Sequence, residues 1–196
     1  NGLRSLGYVG LGGCVYSAAR LDGFLAALGA SGGIDGAEVA RLTWLPQRRR
    51  ELDDWLAGLA RPAGVFCASD LVARAVVQSC RRLGLAVPSA VAVVGVGDSY
   101  LDAVFAGIPL STVPLPGRRL GAAAAELLAA RLAGYRGPVR RVVVPPTCLL
   151  SRSLRRFRAA DGTSHARSLG WVIALVMLQG IIATVGFATA LGQGEV

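Results

Sequence analysis

Apolar and polar positions in this chain follow two periods. The runs Val65-Phe66-Cys67 and Val91 to Val96 are continuous and rich in β-branched residues, as expected of strands buried on both faces. Between them Leu71, Ala75, Val76, Cys80 and Leu83 recur at helical spacing. Ser69-Asp70 supplies the N-cap of that helix, Gly84 its C′ residue, and Pro88 bars its continuation. Strand, helix and strand within about thirty residues make a βαβ unit. The pattern predicts an α/β fold, an open parallel sheet with flanking helices. Ligands of such sheets bind beyond the carboxyl ends of the strands, which directs attention to the loops Ala68-Ser69-Asp70 and Gly97-Asp98-Ser99.

The same reading extends outwards from this unit. The segment from Leu3 reads as the end of a helix, followed by a short, glycine-rich strand from Tyr8 to Leu11 that is truncated or absent. Ser17 reads as the N-cap of a helix with Leu21, Phe24, Leu25 and Leu28 on one face, which places Arg20 in the first turn, where the helix dipole disfavours a cation. Glu38 to Trp44 reads as a strand, and Gln47 to Ala60 as a helix burying Leu52, Trp55, Leu56 and Leu59. Leu101 to Gly107 follows as a short helix or turn and Ile108 to Val113 as a strand. Gly117 to Ala133 is expected to be a helix with Leu120, Ala124, Leu127, Leu128 and Leu132 on one face. Arg141 to Val144 and Thr147 to Leu150 are strand-like, interrupted by Pro145-Pro146. Gly10-Leu11-Gly12-Gly13 misses the dinucleotide fingerprint, because Val15 stands where its third glycine would be.

Composition changes this picture little. A chain of 196 residues with 53% hydrophobic content can bury one ordinary core. The net charge of +9 comes from arginine alone, in scattered pairs and triplets such as Arg48 to Arg50 and Arg118-Arg119 instead of one stripe. Solvated helix faces account for that distribution better than a nucleic-acid footprint. The four cysteines, Cys14, Cys67, Cys80 and Cys148, show no CxxC spacing, which removes zinc-ribbon and thioredoxin-like chemistry and fits a reducing cytoplasm. The single histidine, His165, has no nucleophile at recognisable spacing, so no catalytic residue is assigned and no cofactor or metal is expected. Asn1 follows no signal-peptide pattern, and the chain reads as a fragment of a longer product.

VFCASDLVARAV, then RRLGLAVPSAVAVVGVGD and then IPLSTV, resembles the effector-binding core of lactose-repressor-type transcription regulators, whose fold is shared with periplasmic sugar-binding proteins. WLAGLARPAGVFCASD, PLPGRRLGAAAAELL and VPPTCLLSRSL make it most similar to the xylose-operon-type regulators, over roughly residues 3 to 153. The resemblance implies a periplasmic-binding-protein-like fold of type I, mainly one lobe. It also implies a small sugar as effector, DNA contacted through segments missing from this chain, and a homodimer. Arg20-Leu21-Asp22-Gly23-Phe24 matches the family motif whose arginine reaches into the effector cleft. Ser69 stands where many relatives carry Asn, and Gly97 where they usually carry a sugar-binding Asp, with Asp98 next door. The implied ligand site is therefore Arg20, Ser69, Gly97 and Asp98, whereas Asp70 reads as a structural cap. Whether Gly97→Asp would restore the carboxylate or break the loop depends on the sign of φ there. Trp44 is either a platform for a sugar ring or core packing.

Three segments result: residues 1–150 as the effector-binding domain, the C-terminal lobe with part of the other; 151–167 as a basic linker; and 168–196 as a hydrophobic helix. Trp171 to Leu191 is long enough to span a bilayer, and the arginines before it would favour a cytoplasmic globular part. Two readings stay open for it: a membrane segment, or the degenerate start of an arabinose-regulator-type helix-turn-helix. The first would make the whole a membrane-tethered solute-binding or sensory domain.

Overall fold

A computed structural model describes residues 3–30, 39–138 and 141–146. Its strands are β1 (Ser5–Leu11), β2 (Val39–Trp44), β3 (Ala63–Cys67), β4 (Val91–Gly97) and β5 (Ser111–Pro114). The helices are α1 (Val15–Ala30), α2 (Arg49–Gly58), α3 (Asp70–Arg82), α4 (Tyr100–Ala106) and α5 (Gly117–Leu132). All pairings are parallel, in the order β2-β1-β3-β4-β5. The expected open parallel sheet is thus present, with Ser69 as the N-cap of α3 and Gly84, at φ 66°, just past its end.

Alternation along the strands sends side chains to two cores. Val9, Val65, Cys67, Val91 and Val93 meet Leu52 and Leu56 of α2 and Val72, Val76 and Cys80 of α3. On the other face Leu6, Tyr8, Phe66, Val94 and Val96 meet Phe24, Ala27 and Leu28 of α1. Tyr8, Phe24 and Phe66 form the centre of that second core, with ring centroids 5.3–6.2 Å apart. Trp44 is buried in the first core, which is the packing reading of that residue.

The first strand departs from expectation. It is neither truncated nor preceded by a helix end: β1 has seven residues and lies inside the sheet between β2 and β3. Its glycines mark close helix approach, since a Cβ at Gly7 would meet the Trp55 ring at 2.6 Å and one at Gly10 the Ser17 Oγ at 2.6 Å. The helix that follows begins earlier than Ser17. The Ser17 N–H already donates to the Cys14 carbonyl (3.0 Å), while its Oγ accepts from the Leu11 N–H (2.9 Å). Ser17 is a buried tie between α1 and β1, and Arg20 lies in the second turn, outside the first-turn dipole argument.

Helix α5 also differs from its prediction. It forms over nearly the expected range, but none of its residues is buried, and Leu120, Leu128 and Leu132 are exposed. Its apolar periodicity records a face that needs a cover, and no described element supplies one. Residues 141–146 carry no regular structure, so the expected strand from Arg141 is not formed. Thr147 to Leu150, the linker and Trp171 to Leu191 lie outside the described residues. Among those described, no helix is long and apolar enough to cross a membrane.

Burial sets the thiol chemistry. Cys67 and Cys80 are fully buried, and desolvation pushes the Cys80 thiol up to about 11 and the Cys67 thiol well above its ordinary value. In the native protein a thiol-reactive probe should modify the partly exposed Cys14 while Cys67 and Cys80 react only on denaturation, as peptide mapping by mass spectrometry will show.

Candidate functional site

Three loops leave the carboxyl ends of the adjacent strands β1, β3 and β4; those after β3 and β4 carry the predicted site residues Ser69 and Asp98, and the one after β1 leads into α1. α1 carries Arg20. Its guanidinium Nη1 donates to the carbonyl of Ala68, in the loop after β3, and its Cζ stands 4.6 Å from the centroid of the Tyr16 ring. Burial lowers the Arg20 pKa from its usual range, opposed by Tyr8, Tyr16 and Asp70. The Ser69 side chain caps α3 by accepting from the Val72 N–H (3.4 Å), and it lies near enough to the Tyr16 phenol to lower that group's pKa against the rise that burial causes. Arg20 and Ser69 are therefore brought together, with Tyr16 between them. Tyr16 was not singled out from the sequence. It stands four residues before Arg20 and so on the same helix face, a relation visible only once the helix is known to start at Val15.

The third loop is held by Asp70, whose role is different from that of a cap. One carboxylate oxygen accepts from the Ser99 N–H (2.7 Å) and the other from the Thr112 hydroxyl (2.7 Å). Thr112 Oγ1 in turn accepts from the Asp98 N–H (3.2 Å). A buried carboxylate thus ties the loops after β3 and β4 to β5. Desolvation raises the Asp70 pKa, against the Thr112 and Ser99 hydrogen bonds, and the nearby charges of Asp102 and Asp98 push the same way.

This network fixes the backbone of the third loop. Asp98 sits at φ 60° and Gly97 at φ 141°, both on the positive side that L side chains rarely adopt. A Cβ at Gly97 would also lie 3.3 Å from Asp70 Oδ2. Gly97→Asp is therefore expected to cost about 1–3 kcal/mol of strain and to set a second carboxylate beside Asp70, lowering the melting temperature without tightening sugar binding. A variant that melts with the wild type and binds sugar better would overturn this.

Taken together, α1 and the loop after β3 bring a guanidinium and two hydroxyls (Ser69 and Tyr16) to one edge of the sheet, and Asp98 lies on the loop after the neighbouring strand β4, a set of donors and acceptors suited to a polyol.

Comparison with known proteins places this geometry. Residues 1–153 match the model of the periplasmic binding protein-like domain. The chain is 32% identical over 137 residues to the xylose operon regulatory protein of Escherichia coli K12, covering 70% of this chain and 35% of that protein. It is 33% identical over 150 residues to the transcriptional repressor PurR of Erwinia tasmaniensis, covering 73% of this chain and 41% of that one. Among solved structures, the xylose-binding transcription activator xylR superposes with a TM-score of 0.69 at 22% identity, over 89% of this chain and 51% of that one, which is a likeness of fold. All three are transcription regulators, and this chain spans between about a third and two fifths of the length of the two curated relatives. With a parallel sheet and a family match over most of its length, the chain belongs to the periplasmic binding protein-like domain family.

Proposed function

We propose that this chain is the ligand-sensing part of a bacterial DNA-binding transcription regulator that responds to a small, xylose-like sugar. What supports the reading is the Arg20 guanidinium donating to the Ala68 carbonyl beside Ser69, with Asp98 on the loop after the neighbouring strand β4, joined to regulators as relatives. Arg20 and Ser69 donate to sugar hydroxyls, Asp98 accepts from them, and Gly97 lets the loop approach closely.

In this reading residues 1–150 are the effector domain, 151–167 a linker and 168–196 a separate hydrophobic segment, all in the cytoplasm. The whole protein closes the cleft with a second lobe, which also covers the exposed leucines of α5. DNA is contacted by segments of the whole protein outside this chain. A homodimer is supported by α4, whose Tyr100, Leu101, Val104 and Phe105 are 52–78% exposed on seven residues of helix.

Titration calorimetry of the full-length protein against pentoses and hexoses tests the assignment. Saturable heat with a pentose, lost in the Arg20→Ala protein, is expected. Absence of heat with every sugar would overturn it.

A further inference from the structure

Strand β5 reaches the loop after β4 through one hydroxyl. Thr112 is buried and pairs with Gly95 of β4, and its Oγ1 both donates to Asp70 Oδ1 (2.7 Å) and accepts from the Asp98 N–H (3.2 Å). A carboxylate only accepts and an amide N–H only donates, so a side chain set between the two must do both, and a hydroxyl does. Gly95 makes room for the arrangement: it has no side chain where the Asp70 carboxylate lies against β4, and a Cβ there would collide with Oδ1. Asp70 Oδ2 is meanwhile taken by the Ser99 N–H (2.7 Å), so consecutive backbone N–H groups of the loop are held by Thr112 and Asp70. Asp98 itself is exposed and sits at φ 60°, a conformation uncommon for a residue with a side chain.

We infer that Thr112 is a positioning residue for the effector: its hydroxyl holds the loop after β4 in the left-handed conformation from which Asp98 meets the sugar. The inference rests on the reading of Asp98 as an acceptor of sugar hydroxyls, and Thr112, being buried, acts through Asp98 and not by contact with the ligand. Without the hydroxyl the Asp98 N–H loses its acceptor, and the loop relaxes toward the conformations with negative φ that an aspartate prefers. Apparent affinity then falls in proportion to the molecules that still carry the competent loop, about tenfold if about one in ten does.

The test compares Thr112→Val, which keeps the shape of the side chain and removes the hydroxyl, with Thr112→Ser, which keeps the hydroxyl and removes a buried methyl. Both should melt below wild type, since the first leaves polar groups unpaired and the second leaves a small void. Titration calorimetry of the full-length proteins with D-xylose, at a temperature where all are folded, separates the two. Thr112→Val should bind about tenfold more weakly and Thr112→Ser with near wild-type affinity. Without sugar, hydrogen exchange of the peptide carrying Asp98 and Ser99 should be faster in Thr112→Val and wild-type-like in Thr112→Ser. An affinity that follows the melting temperature across the two variants, or unchanged exchange in Thr112→Val, would overturn the positioning role. A wild-type protein that gives no heat with any sugar overturns the sugar reading instead, and the exchange comparison then decides by itself whether Thr112 holds the loop.

Discussion

Asp70→Ala is expected to destabilise the protein by about 2–4 kcal/mol, because it strips the Ser99 N–H and the buried Thr112 hydroxyl of their acceptor at once. The loss should exceed that of any single surface substitution, since the same carboxylate joins the ends of β3, β4 and β5. Asp70→Asn should cost less, about 1 kcal/mol, for the amide oxygen still serves Ser99 and the amide nitrogen can donate to Thr112 Oγ1. The pH dependence has a definite sign. Burial raises the folded-state pKa of Asp70 above its unfolded value. Its contribution is therefore fully present below the unfolded value and declines as pH rises through the folded one. The Asn variant has no such group to titrate, so its deficit relative to wild type should shrink from acidic to neutral pH. Denaturant melts of wild type and both variants across that range measure all three expectations. A wild-type-like melt for Asp70→Ala would show that the bridge contributes nothing.

Arg20→Ala should reduce sugar affinity of the full-length protein about a hundredfold, since the guanidinium is the only cation that the described residues place among the three converging loops. It should also lower stability by about 1–2 kcal/mol, because the Ala68 carbonyl loses a charged donor. From the sequence alone, with Arg20 in an unfavourable first turn, no such stability cost is expected. The second-turn position and the contacts to Ala68 and Tyr16 reverse that expectation. Arg20→Lys keeps the charge but not the planar fork, so its binding defect should lie near that of the alanine variant. Calorimetry with parallel thermal melts separates the two roles: a lower melting temperature with unchanged affinity would make Arg20 structural and remove it from the site.

What the sequence alone determined is what adjacent residues determine together. The unit from Ala63 to Gly97 was legible because its strands are continuous apolar runs, its helix is amphipathic, and Ser69 and Gly84 punctuate that helix through contacts spanning a few residues. The loops at its carboxyl edge, and hence Ser69, Gly97 and Asp98, followed from parallel topology. The tertiary structure decided the rest, because the relevant partners are remote in the chain. A glycine-rich stretch is the inner strand β1, paired on both sides with strands remote in the chain, and its Gly7 and Gly10 leave the room that Trp55 and Ser17 fill. Asp70 looks like a cap locally, yet its acceptor oxygens are claimed by Ser99, 29 residues on, and Thr112, 42 residues on. Helix periodicity announced an apolar face on α5 without saying what covers it, since a 3.6-residue repeat reports which side is apolar and carries no information about the surface that meets it.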